Sequence, residues 1–60
     1  MVRERFLKIY ANLPLNLRDE IILVLPHRGP ITWDIAYLEV KQNTKLSKEI
    51  LKMLNKLNII

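Results

Sequence analysis

The sequence predicts an all-α domain of four short helices. Three observations carry that reading. Apolar residues recur at helical spacing at both ends of the chain, prolines and capping residues punctuate the middle, and the last third sorts lysines and leucines onto opposite arcs of one helix.

In chain order, Val2, Phe6, Ile9, Tyr10 and Leu13 share one side of a first helix over residues 2–12, with Arg3, Arg5 and Lys8 facing elsewhere. Pro14 stops it, because proline disfavours helical geometry in the residue before it. Asn16 then reads as an N-cap, with Asp19 at the third helical position and Glu20 near the positive end of the helix dipole. They open a second helix over residues 17–25, which Ile21, Ile22, Val24 and Leu25 make apolar around much of its circumference, hence central. The β-branched content of Ile21–Leu25 makes a short buried strand the competing reading; the capping residues favour the helix.

Pro26 ends that helix, and His27-Arg28-Gly29-Pro30 forms a turn in which Gly29 is free to take positive φ. Thr32 caps a third helix over residues 33–41, with Asp34 in its first turn and Ile35, Ala36, Leu38 and Val40 on its inward face. Gln42-Asn43-Thr44 is a polar break, and either Asn43 or Thr44 caps the fourth helix. That helix continues to about Leu57, where Asn58 can close it in the left-handed conformation. No repeat, low-complexity stretch or linker divides residues 1–60, which read as one domain: the N-terminal helix and a core over 17–60.

A domain of 60 residues buries only about 60% of the surface its unfolded chain exposes, so its stability is marginal without help. The chain has no Cys and a single histidine, His27, which removes disulfide staples, Cys-containing zinc sites and histidine clusters; no cofactor is expected. Half of its residues are hydrophobic, more than so small a fold easily hides, so a protein partner or a second copy is expected. The Val2–Asn12 segment is broken by Arg3, Glu4, Arg5 and Lys8 and does not read as a secretory signal. The longest apolar run, Ile21–Pro26, is six residues, far below the ~20 that cross a bilayer. These features suit a cytoplasmic chain without membrane association.

Charge is concentrated in one place. Residues 41–60 hold five lysines against Glu49, whereas residues 1–40 hold five basic residues against five acidic ones, so the whole formal excess of +4 lies in the last third. Lys45, Lys48, Lys52 and Lys56 recur at helical steps and form a stripe; Leu46, Ile50, Met53, Leu54 and Leu57 fall on roughly the opposite arc. With a pI of about 9.8 the chain is suited to nucleic acid or another anionic surface.

The order of elements resembles the winged-helix and helix-turn-helix domains of small transcription regulators, over about residues 17–60. The matching residues are Gly29-Pro30-Ile31-Thr32, then Ile35-Ala36, then Asn43-Thr44, and finally Leu51, Leu54, Leu57, Asn58, Ile59 and Ile60. Asn58 stands where glycine is usual, and the chain stops where the wing hairpin begins in that family, so the resemblance implies a helix-turn-helix core lacking the wing. It further implies that the fourth helix enters the major groove of double-stranded DNA. Thr44, Lys45, Ser47, Lys48 and Lys52 are then the contact candidates, with Lys41 and Lys56 nearer the backbone. RNA bound through the same stripe is the alternative nucleic acid.

Beside this stands the plainer reading that the lysines solvate the outer face of an amphipathic helix. No Arg lies in the candidate recognition helix, although Arg is the commonest bidentate reader of guanine. The surplus apolar surface supports the competing function, a non-enzymatic interaction module within a larger protein or ribonucleoprotein assembly. Phe6, Tyr10 and Trp33, with Ile59 and Ile60, are the candidate interface residues for such a partner or for a homodimer. No nucleophile stands with a base and no phosphate loop is present, so the chain does not read as an enzyme; Asp19, Glu20, Asp34 and Glu39 are explained by helix N-termini and surface pairing.

Overall fold

A computed structural model describes residues 2–60. Among these residues, three α-helices enclose a core with one antiparallel hairpin: α1 spans Val2–Ala11, β1 Ile21–Leu25, β2 Gly29–Thr32, α2 Trp33–Gln42 and α3 Lys45–Lys56. The fold is therefore mixed α and β, and the expected all-α arrangement of four helices is wrong at the second element. In place of a helix over 17–25, a short 3-10 turn at Leu15–Leu17 leads into β1.

The reason is that both ends of that segment have stronger offers. Pro14 and Asn16 enter a tight turn in which the Leu17 N–H donates to the Pro14 carbonyl at 3.0 Å. No side chain caps that turn, so Asn16 is not the N-cap it resembles. Downstream, the Glu20 carbonyl accepts from the Trp33 N–H at 3.3 Å and the Arg18 carbonyl from the Asp34 N–H at 3.1 Å. These are N–H groups that the first turn of α2 cannot satisfy itself, so residues 18–20 cap another helix instead of starting their own. Ile21, Ile22 and Val24 are β-branched and lose less side-chain freedom on a pleated strand than in a helix.

The hairpin is built by Pro26 and Gly29. The Arg28 N–H donates to the Leu25 carbonyl at 3.2 Å across the turn. Gly29 then takes φ of +90°, a conformation that costs any residue with a Cβ about 1–2 kcal/mol. In the ladder Leu23 stands opposite Ile31, Val24 opposite Pro30 and Leu25 opposite Gly29, with a bulge between Ile21 and Leu23. Past the bulge the alternation resets. Leu23, Leu25 and Ile31 point inward and are buried, while Ile21 and Val24 face out.

The helix ends follow the local chemistry. Thr32 caps α2, its Oγ1 accepting from the Ile35 N–H at 3.1 Å. Asn43 closes α2 at φ 55° and Asn58 closes α3 at φ 60°. Each completes the same pair of bonds: Asn43 N–H to the Val40 carbonyl at 3.1 Å with Thr44 N–H to Glu39 at 3.3 Å, and Asn58 N–H to Asn55 at 3.1 Å with Ile59 N–H to Leu54 at 2.9 Å.

The core comprises Phe6 from α1, Leu23, Leu25 and Ile31 from the hairpin, Ala36 and Val40 from α2, and Ile50 and Leu54 from α3. On α2 the inward positions are Ala36 and Val40 with Trp33 and Tyr37 beside them; Ile35 and Leu38, expected inward, are exposed. None of the helices described is long and apolar enough to cross a membrane.

Candidate nucleic-acid interface

The α2–turn–α3 unit carries the basic face. Thr44, between the two helices, caps α3: its Oγ1 accepts from the Ser47 N–H at 3.0 Å. The same hydroxyl donates to Glu39 Oε1 at 2.6 Å, tying the start of α3 to the last turns of α2. Ile50 and Leu54 fix the inward face of α3, which turns Lys45, Lys48, Lys52 and Lys56 outward within an arc of about 80°. All four are exposed, as is Lys41 in the last turn of α2.

Two other candidate contacts do not belong to that face. Ser47 is buried, at 2% exposure, and its Oγ donates to the Thr44 carbonyl at 2.6 Å. At 100° per residue it shares the inward arc with Leu54, so no ligand reaches it. Thr44 is half-buried, and both capacities of its hydroxyl are engaged within the chain. Both are structural residues of the turn.

The structure also adds residues to the face. α3 contains no arginine, but α1 brings one to it: Arg5 Nη2 donates to Asn55 Oδ1 at 2.6 Å, and Asn55 lies on α3 beside the lysine arc. Nothing in the local sequence signals a contact across 50 positions. On the other flank His27, at the hairpin tip, meets Glu49 of α3 with Nε2 3.4 Å from Oε1. The only acid of α3 is thus held by a residue from outside the helix.

The expected apolar interface is only partly exposed: Tyr10 and Trp33 are half-buried. Phe6 is fully buried at the centre of the core. Its ring lies 5.8 Å from that of Trp33 and 6.3 Å from that of Tyr10. Tyr10 stacks on Tyr37 with centroids 4.2 Å apart and planes 5° from parallel. Its hydroxyl donates to Asp34 Oδ1 at 2.6 Å, and the Arg18 guanidinium sits 4.5 Å from its ring centroid. That hydrogen bond and then burial raise the pKa of Tyr10 above 10.0, against the opposing pull of Arg18. The aromatic residues that read as a docking patch therefore join α1 to α2. Of that set Ile60 packs half-buried against the core and Ile59 is exposed. Among the described residues the only hairpin lies before α2, not after α3 where a wing stands in the family the sequence resembles.

Comparison of the chain with protein-family models, with curated proteins and with solved structures finds no match in any of the three.

Proposed function

We propose that this chain is a small nucleic-acid-binding domain that lays the basic face of α3 on double-stranded DNA, in a regulatory or architectural role. The observation that carries the reading is the exposure of Lys41 at the end of α2 and of Lys45, Lys48, Lys52 and Lys56 along α3, flanked by Arg5. A helix presented in this way suits the width of a major groove, and ammonium groups along it suit phosphate. Lysines without arginine on the helix itself favour affinity that depends on salt more than on sequence. Asn55 and Arg5 are the polar groups able to add base-edge contacts at one end.

The test is duplex binding over a salt series, with RNA duplex as competitor. Replacing Lys45, Lys48 and Lys52 together by Ala is expected to weaken DNA binding severely and to flatten the salt slope by about 0.9 for each phosphate that is no longer neutralised. Unchanged affinity, or affinity indifferent to salt, would overturn the proposal; preference for the RNA competitor would reassign the same face to RNA.

A further inference from the structure

Among the described residues the sheet has two strands, so β1 is paired with β2 along one edge and open along the other. The register shows which groups face the open edge. Val24 stands opposite Pro30, and proline has no N–H to give to a ladder, so this pair exchanges no hydrogen bonds. Alternation along the strand then turns the N–H and C=O of Val24 away from β2, toward the open edge. The Val24 side chain is 66% exposed, and the bulge places Ile21, at 59%, on the same outer face.

Edge strands are usually blunted by lysine, proline or an inward charge. Pro30 does this for β2, but Ile21–Leu25 contains no such residue. The two ends of β1 are oppositely charged: Asp19 and Glu20 precede it and Arg28 follows it. Among the described residues His27 has Glu49 as its partner, whereas Asp19, Glu20 and Arg28 form no ion pair. An antiparallel copy of the same strand reverses this order. The acidic start of each strand then meets the basic turn of the other, twice, about one two-fold axis.

We propose that β1 pairs antiparallel with the β1 of a second copy around Val24, joining two hairpins into a four-stranded sheet. The Val24 N–H of each copy donates to the Val24 carbonyl of the other, Glu20 faces Arg28 across the axis, and the outer faces of Ile21 and Val24 merge. A contact of this kind closes on itself, so it yields a dimer and not a filament. It stands independently of the nucleic-acid reading, because α3 takes no part in it.

Sedimentation equilibrium of the full chain, with amide exchange at Val24, tests it. The mass is expected to rise with concentration to twice the 7.1 kDa of one chain and no further. Val24 exchange is expected to slow as the dimer forms. Val24→Lys is expected to give a folded monomer. Glu20→Arg and Arg28→Glu should each weaken association by about tenfold or more, and the double exchange should restore it. A chain that stays monomeric at millimolar concentration overturns the proposal. So does a dimer unmoved by Val24→Lys, or a double exchange that recovers nothing. Should a variant fail to fold, exchange at Val24 that is independent of concentration in the unaltered chain overturns it equally.

Discussion

At the residue scale, Tyr10 shows how one side chain serves several neighbours. Its ring is covered by Tyr37 and Arg18 while its hydroxyl is held by Asp34. Because its pKa is raised above 10.0 in the folded chain, the unfolded chain releases the proton first. Stability from this group is complete below pH 10 and is lost as pH rises through the folded value. Asp34→Ala is expected to cost about 1 kcal/mol near neutrality, where the hydrogen bond is lost. It should also shrink the further loss on raising the pH to about 11. Urea unfolding of both chains at the two pH values checks it; equal alkaline losses would count against the hydrogen bond as the cause. The lysine stripe is legible from spacing alone. The engagement of the Thr44 and Ser47 hydroxyls is less so, since the partner of Thr44 on α2 depends on how the turn folds back. Arg5 beside Asn55 is not legible at all.

At the element scale, α2 and α3 are readable because their ends are decided locally. Thr32, Thr44, Asn43 and Asn58 act on backbone groups within a few residues of themselves. Thr44→Ala should therefore destabilise the chain by about 1 kcal/mol and lower the helicity of α3 first, because it removes the cap and the bond to Glu39 together. Thermal unfolding followed by circular dichroism reads this; a midpoint unchanged from the parent would show that the N–H of Ser47 is satisfied in another way. The hairpin is harder to read because Asn16 and Asp19 imitate a cap while the groups that decide the matter, the N–H groups of Trp33 and Asp34, lie over a dozen positions away. The signals for the strand are nonetheless present in the β-branched run and in Pro26 and Gly29 at the turn.

At the scale of the whole molecule, one small core unites every helix and both strands. Phe6 is its largest fully buried side chain. Phe6→Ala is expected to cost about 3–5 kcal/mol, most of what a chain of this size has in reserve. The variant should therefore lose its cooperative thermal transition and its near-ultraviolet dichroism, and a retained transition within a few degrees of the parent would show that the core closes without it.

The placement of Phe6 also sets an order in time. It belongs to α1, and part of the core that covers it comes from Ile50 and Leu54 of α3. α3 is the last of these elements to be made, so the Phe6 ring lacks that part of its cover until Ile50 and Leu54 have been added. Until then the core cannot close, and α1 becomes a lock that shuts only once α3 has joined it.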